Sequence, residues 1–427
     1  MAQLSDDCFA FGGALLSVEE AAALIAERVP PLAGEEERVP LGAALGRVLA
    51  RDVVAGHDVP GFHNSAVDGY AFAHADLARA FAGPEGTRRL PLAGGRAAAG
   101  HAPPPVPRGA ALRVLTGAPM PAGTDTVMMQ EDARLHDGGR SVLLPPGLKP
   151  GANARPAGED VARGEVALRR GRRLTAFDLG LAASQGLPVL PVTRRPRVGV
   201  FSTGDEVVPV GRSLGATKTY DANRPVLLAM LATLPVEARD LGHLRDRRGE
   251  TAEALARAAP GHDLIVTTGG VSTGDEDHVR AAMEGAGGSL VFWRLAVKPG
   301  RPAALAVLGG TPVLGLPGNP VAAVVTFLHL VRPLALRLAG AAPEPLPRFP
   351  AVADFAARKK AGRREYLRVS VAYDPAAGLA RARRFPREGA GLLTSLTRSD
   401  AFAELPEAVT AVAPGDPVAV IPFAALG

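Results

Sequence analysis

The chain has 427 residues, of which 47% are hydrophobic, with 50 glycines and 39 prolines; this composition excludes a disordered chain and indicates a turn-rich globular protein of about two to four domains. The net charge of +5 suits anionic small molecules at least as well as nucleic acid. An aromatic content of 4% argues against a stacking surface for single-stranded nucleic acid.

The N-terminal segment predicts a cytoplasmic protein, because MAQLSDDCFAFGG carries acids where a signal peptide would carry Lys or Arg. Cys8 is the only cysteine, which excludes an internal disulfide and a cluster of thiolate metal ligands. The apolar stretch PVAAVVTFLHLVRPLAL is interrupted by Pro320, His329, Arg332 and Pro333, so we expect no membrane span.

Three helices are predicted in the first half of the chain. Residues 16–32 predict a helix with Ser17 as N-cap and Glu20 completing a capping box. A second helix is expected between residues 42 and 54, and a third over 175–187. Between the last two, the Gly- and Pro-rich chain carries short apolar runs such as ALRVL, TVMMQ and SVLLP, which are typical of a small β-rich domain.

After residue 194 the pattern changes to strands that alternate with helices. The runs RVGVF, VEARDL, DLIVTT, LVFWRLAV, AALAVL and PVLGL read as strands of a mostly parallel sheet with helices on both faces. The fold class is therefore multidomain α/β plus β. We predict four domains: an N-terminal helical and linker domain (1–62 plus 160–194), a small β-rich domain (63–159), an α/β domain (195–340) and a C-terminal β domain (346–427).

The tetrapeptide TGDE occurs twice, and each copy follows a predicted strand. In TTGGVSTGDED, Gly269 and Gly270 allow a tight turn, and Ser272 adds a hydroxyl beside exposed N–H groups, which together favour an anion site. The acids that follow would repel a phosphate unless a cation such as Mg²⁺ lies between them. Helix capping alone is the alternative explanation of those acids.

The first copy, STGDEVV, is followed by Pro209 and Gly211 rather than by a helix. Capping therefore explains Asp205 and Glu206 poorly. Carboxylates at the carboxyl end of a strand are better explained as partners of a metal or an oxyanion.

Two further turns carry residues that favour anion binding. In KPGRP, Lys298 and Arg301 flank a glycine and can face a phosphate or another oxyanion. The PGNP turn, Pro317–Gly318–Asn319–Pro320, leads into a predicted helix, although a purely structural turn is an equal alternative. Asp68, in NSAVDGYA, is by itself only a turn signal.

Taken together, these motifs resemble one family, the molybdopterin molybdotransferases, which includes the C-terminal domain of gephyrin. The matching segments keep their order from residue 64 to residue 407. They are NSAVDGYA, TGAPMPAGTDTVMMQED, RPAGEDV, STGDEVV, YDANRPVL, TTGGVSTGDED, VKPGRP, LPGNP, GRREYLRV and GAGLLTSLTRSDAFAELPE.

The resemblance implies a transferase that inserts molybdate into adenylylated molybdopterin, releases AMP and uses Mg²⁺. It also implies a homodimer whose active site is shared between subunits, and docking with molybdopterin adenylyltransferase and with molybdoenzyme acceptors. The implied catalytic residues are Asp68, Thr116, Asp160, Glu206 and Asp277. The implied metal ligands are Asp205, Glu206 and Asp277, and the implied substrate-binding residues are Gly269, Gly270, Ser272, Lys298, Arg301, Pro317, Gly318, Asn319 and Pro320.

Two positions depart from the family pattern. Arg301 stands where the family commonly has lysine, so the charge is kept but its geometry changes. Ala222 stands where the family commonly has serine, so a hydroxyl is missing.

Three other functions fit the sequence less well. A molybdopterin adenylyltransferase would share the α/β domain, but the N-terminal and C-terminal regions argue against it. A non-catalytic scaffold of the same fold conflicts with the retained carboxylates. A nucleic-acid binder, suggested by the Arg-rich stretch 358–387, fits the low aromatic content least.

Overall fold

The computed structural model describes residues 15–32, 35–271, 278–376 and 378–425. The chain divides into two compact units. The first contains the described residues up to Ala50, the short segment Gly171–Thr175 and the described residues from Leu190 onward. The second contains Arg51–Arg170 and Ala176–Val189.

The first unit begins with helix α1, Val18–Arg28, whose predicted start is confirmed. The Ser17 hydroxyl accepts the Glu20 N–H at 3.1 Å, and the Glu20 carboxylate accepts the Ser17 N–H at 2.8 Å. Ala21 and Ile25 are buried in the core of this unit. The capping box fixes the start of the helix, and burial of its apolar stripe holds it in place.

The helix predicted between residues 42 and 54 is wrong. The described chain has only a 3₁₀ turn, Leu41–Ala43, followed by extended backbone. Val48 and Leu49 form bridges to Arg173 and Val192. Gly42 and Gly46 weaken a helix over so short a stretch, and the φ of +72° at Gly46 is not helical.

The second unit is mostly β-structure. A seven-stranded sheet has the order Thr126–Met129, Gly69–Phe72, Ala111–Val114, Arg88–Ala97, Ser141–Leu144 and Arg134–His136, with Phe81–Ala82 pairing at the side of the fourth strand. Two smaller ladders pair Val53–Val54 with Val166–Leu168 and Asn64–Ser65 with Ala154–Arg155. Helix α2, Ala176–Ser184, lies within the predicted range 175–187.

The centre of the first unit is a six-stranded sheet. Its strands are β1 (Arg197–Thr203), β2 (Glu237–Leu244), β3 (Leu264–Thr268), β4 (Ser289–Trp293), β5 (Ala304–Leu308) and β6 (Thr311–Leu316). In space their order is β2-β1-β3-β6-β5-β4. The first four pair in parallel, as predicted, whereas β5 and β4 run antiparallel at one edge.

Helices cover both faces of this sheet. They are α3 (Asn223–Ala232), α4 (Arg248–Ala258), α5 (Val279–Gly285), α6 (Pro320–Thr326) and α7 (Arg332–Leu338), with a π-helical segment, Phe327–Val331, between the last two. Leu264 and Val266 of β3 pack with the core that contains α3 and α7, whereas Ile265 packs with the core of α4 and α5. Alternate side chains of one strand therefore pack into the cores on opposite faces of the sheet.

The segment Pro320–Leu338 is long and apolar enough to cross a membrane by length and composition, but 89% of its most apolar 18 residues are buried inside the protein. Packing against the sheet accounts for its apolar character.

The C-terminal part of the first unit is a small barrel. Strands Arg364–Asp374, Leu379–Arg384, Phe349–Ala353, Pro417–Pro422 and Ala401–Leu405 pair in that order, and the last pairs again with the first. Val297 was predicted to end a strand of the central sheet, but Val297–Lys298 instead pairs in parallel with Arg364 and Glu365. This pairing carries the KPGRP segment to the barrel.

Candidate functional site

A cleft of about 810 Å³ opens at the carboxyl ends of the parallel strands. It brings together nine of the predicted site residues, which come from four separate loops. They are Glu206, Gly269, Gly270, Lys298, Arg301, Pro317, Gly318, Asn319 and Pro320. The topology explains this convergence, since β1, β3 and β6 are neighbours and all end at the same edge.

Glu206 forms the acidic side of the cleft. It follows β1 by three residues, and its side chain lies over Gly204, whose φ is +132°. A Cβ at position 204 would lie 2.6 Å from Glu206 Oε2, so the carboxylate occupies space that only glycine leaves open. Within the described residues the exposed Glu206 carboxylate accepts no hydrogen bond, and it is therefore available to a ligand.

Asp205 does not line the cleft. Its main-chain N–H donates to Asp246 Oδ2 at 2.9 Å, and the Asp246 N–H donates to Asp205 Oδ1 at 3.4 Å. The two predicted residues Ser272 and Asp277, with the second TGDE copy, lie outside the described residues. Among the residues that are described, no group of three or more His, Cys, Asp or Glu side chains could hold a metal ion.

Gly269 and Gly270 form the floor next to Glu206. Their φ angles are +99° and +62°. A Cβ on Gly269 would lie 2.6 Å from the Thr203 carbonyl oxygen, and one on Gly270 would lie 2.8 Å from Val279 Cγ2. Both the backbone conformation and the close approach to β1 therefore require glycine.

Basic residues line another part of the cleft. The side chain of Lys298 is half exposed, and its Nζ lies 3.8 Å from Glu365 Oε2. Arg363, a further lining residue, donates from Nε to the other oxygen of the buried Glu365 at 2.8 Å. The Arg301 guanidinium makes no hydrogen bond or ion pair within the described part of the chain, so its charge is available to an anion.

Of the predicted catalytic residues of the second unit, Asp68 and Thr116 are in direct contact. The Thr116 N–H and the Thr116 hydroxyl both donate to Asp68 Oδ1, each at 2.7 Å. These two hydrogen bonds, the main-chain one first, lower the pKa of Asp68. Asp160 is exposed, and its main-chain N–H donates to the Val59 carbonyl at 3.0 Å. In the described structure no hydrogen bond joins Asp160 to the Asp68–Thr116 pair.

Several basic residues of the Arg-rich stretch 358–387 are paired with neighbouring acids. Ion pairs join Arg364 to Glu407, Arg381 to Asp374, Arg383 to Asp354 and Arg384 to Glu388. These pairs favour an ion-paired surface over a polyanion site, and the absence of a nucleic-acid partner stays a prediction.

Sequence reasoning missed several residues of the cleft. Asn223, Tyr220, Trp293, Arg363 and the small residues Ala390 and Gly391 all line it. All of these except Trp293 lie within segments that match the family, which was the one signal that could have identified them. Trp293 reaches the cleft only through the tertiary fold.

Three family models match the chain in succession. They describe the MoeA N-terminal region (domain I and II) over residues 16–186, a probable molybdopterin binding domain over 199–337, and the MoeA C-terminal region (domain IV) over 350–423. The cleft lies mainly in the second of these regions.

Known proteins agree with these matches. The chain is 36% identical to the molybdopterin molybdenumtransferase of Haemophilus influenzae over 96% of this chain and 99% of that protein. It is 35% identical to the protein of the same name from Synechococcus elongatus, over 95% and 99%. A crystal structure of the molybdopterin biosynthesis moeA protein from Pyrococcus horikoshii OT3 superposes with a TM-score of 0.79 at 28% identity, covering 96% of this chain and all of that one. The chain therefore belongs to the molybdopterin molybdenumtransferase family.

Proposed function

We propose that this protein inserts molybdate into adenylylated molybdopterin, releasing AMP and completing the molybdenum cofactor. One observation carries the proposal: a single cleft is lined both by the Glu206 carboxylate and by the cationic side chains of Lys298 and Arg301. The substrate's diphosphate and molybdate are both anions. A site that must bring two anions together needs basic side chains and glycine-rich backbone for binding, and acidic groups for the reaction.

The residues divide into two roles. Lys298 and Arg301 would bind oxyanions, since each has a charge that faces the cleft and neither is fully neutralised there. Glu206 would position molybdate, or the water that attacks as AMP leaves. Asp68, whose pKa is lowered by the two hydrogen bonds from Thr116, is the second carboxylate that we propose for this reaction.

Magnesium is part of the proposal. Mg²⁺ is usually bound by one or two carboxylates together with oxygens of the substrate, and Glu206 offers one such carboxylate in the cleft. Asp277 would be the second, and it lies outside the described residues. Asp205 fits less well, because its carboxylate faces the Asp246 backbone. When bound, the cation would neutralise charge on the diphosphate.

We also propose the location, oligomeric state and partners of the enzyme. We place it in the cytoplasm as a homodimer that docks with molybdopterin adenylyltransferase and with molybdoenzyme acceptors, without nucleic-acid or membrane partners. Sedimentation of the purified protein would test the dimer, with a mass near 44 kDa contradicting it.

The test of the activity is AMP release from adenylylated molybdopterin, followed with and without molybdate and Mg²⁺. We expect AMP to form only when both ions are present. AMP release that ignores molybdate would contradict insertion, and consumption of ATP with molybdopterin would identify an adenylyltransferase instead.

A further inference from the structure

Two polar side chains join the ends of three elements around the cleft. Asn223, the first residue of α3, donates from Nδ2 to Thr268 Oγ1 at 2.9 Å and to the Gly318 carbonyl at 2.8 Å. Thr268, the last residue of β3, donates from its hydroxyl to the Pro317 carbonyl at 3.0 Å. We propose that Asn223 and Thr268 form a clamp that positions the Pro317–Pro320 turn for substrate binding.

The donor and acceptor roles within the clamp are fixed by its main-chain carbonyls. A main-chain carbonyl can only accept, so the Gly318 and Pro317 oxygens fix the amide and the hydroxyl as donors. The Asn223 amide thereby uses both of its N–H groups, and the Thr268 hydroxyl both accepts and donates. Thr268 is buried, with 3% of its surface exposed, so loss of one partner leaves a polar group without water to replace it.

The clamped turn is part of the binding surface. Gly318 packs against the cleft floor, where a Cβ on it would lie 3.6 Å from Gly269 Cα. On its other side, the Val321 N–H donates to the Ala390 carbonyl at 2.9 Å. The turn has exposed residues at 318 and 319, and its first residue, Pro317, is buried. Asn223 and Thr268 are therefore positioning residues, which act through the main chain of the turn.

The kinetic test of the clamp rests on the proposed function, whereas the hydrogen-exchange test does not. The decisive pair is Thr268→Val, which keeps the shape and removes the hydroxyl, and Thr268→Ser, which keeps the hydroxyl. We expect Thr268→Val to lower kcat/KM for adenylylated molybdopterin by about tenfold and Thr268→Ser to stay within about twofold of wild type. Asn223→Ala should resemble Thr268→Val.

A matched control lies one residue away. The Thr267 hydroxyl is buried, and it has no hydrogen-bond partner in the described structure. Thr267→Val removes the same group from the same strand without touching the clamp, so its kcat/KM should stay within about twofold of wild type. The double variant Asn223→Ala with Thr268→Val should lose about as much as either single variant, because both break one network.

Hydrogen exchange measures the clamp without activity. The amides of residues 318, 319 and 321–323 should exchange faster in Asn223→Ala and Thr268→Val than in wild type, Thr267→Val or Thr268→Ser. Equal exchange and equal kinetics for Thr268→Val and Thr268→Ser would overturn the clamp, as would single-variant losses that multiply in the double variant. A wild-type protein without molybdate-dependent AMP release would refute the proposed function, and the exchange result would still decide the clamp.

Discussion

Asp68 and Glu206 are two predicted catalytic carboxylates that lie in different units of the molecule and in different settings. Asp68 accepts two hydrogen bonds from Thr116, and these bonds lower its pKa. Glu206 lines a cleft and accepts no hydrogen bond from the described residues. The Asp68 carboxylate is thus oriented by hydrogen bonds within the protein, whereas the Glu206 carboxylate is free to bind a ligand.

Two glycines near the carboxylates differ in packing. Gly117, next to Thr116, has a φ of +75°, and the nearest atom to an added Cβ would be 3.9 Å away. Gly269, on the floor of the Glu206 cleft, has a φ of +99° and would place a Cβ 2.6 Å from a carbonyl oxygen. Gly269 is therefore closely packed and Gly117 is not, but Gly69, which directly follows Asp68, is closely packed too, because an added Cβ there would collide with the Met128 carbonyl oxygen. We infer that Glu206 acts directly on ligand and that Asp68 depends on its threonine for its lowered pKa.

The largest expected effect comes from Glu206. Glu206→Gln keeps the size of the side chain and removes the charge, so we expect AMP release to fall by about 100-fold or more with the fold intact. Asp205→Asn is the matched control, because Asp205 is adjacent but does not line the cleft. Its activity should stay within about fivefold of wild type.

Two outcomes would break this part of the comparison. Near-normal turnover of Glu206→Gln would remove Glu206 from the reaction. A loss in Asp205→Asn as large as that in Glu206→Gln would favour Asp205 as a metal ligand. Circular dichroism and thermal unfolding of both variants would separate loss of activity from loss of structure.

The sequence predicted the parallel part of the central sheet because β1, β3 and β6 are short apolar runs that end in Gly-rich turns. The position of Glu206, Gly269 and the 317–320 turn at one edge followed from that topology. The antiparallel edge and the departure of Val297–Lys298 to the barrel were not predictable in this way, since nothing in LVFWRLAV marks where it leaves the sheet. Long-range pairing decides such breaks, and local pattern does not record it.

The Asp68–Thr116 contact shows a different limit. Both residues were identified through the family resemblance, since Asp68 in its own segment is only a turn signal. The two are 48 positions apart and meet because the strands that they adjoin, Gly69–Phe72 and Ala111–Val114, are paired. Residue type and spacing alone could not supply that pairing.

A smaller effect is expected from two glycines near the carboxylates. Gly269→Ala adds a collision to a backbone strain, so we expect the free energy of unfolding to fall by roughly 2–4 kcal/mol. Gly117→Ala meets only an ordinary contact with Ala99 and carries the cost of a positive φ, about 1 kcal/mol. Urea denaturation of each variant against wild type measures both. Equal losses would show that Gly269 is no more tightly packed than Gly117.

The smallest effect concerns the pKa of Asp68. Thr116→Val removes the hydroxyl donor and keeps the main-chain N–H, so the pKa of Asp68 should rise part of the way to its ordinary value. The folded pKa of this carboxyl is depressed, so its contribution to stability is present above the unfolded pKa and is lost as the pH falls through the folded pKa. In Thr116→Val that loss, and any acid limb of activity that needs ionised Asp68, should begin at a higher pH. At neutral pH the variant should stay within about twofold of wild type, since Asp68 remains ionised.

An NMR titration of the Asp68 carboxyl carbon measures this shift directly, and Thr116→Ser, which keeps a hydroxyl, is the control. The midpoint should move upward in Thr116→Val and stay near wild type in Thr116→Ser. If both variants titrate like wild type, the Thr116 hydroxyl does not lower the pKa of Asp68. Only the main-chain donor would then distinguish the Asp68 carboxylate from that of Glu206. The two carboxylates would then differ mainly in the cleft that surrounds one of them, because a main-chain N–H persists in almost any substitution at position 116.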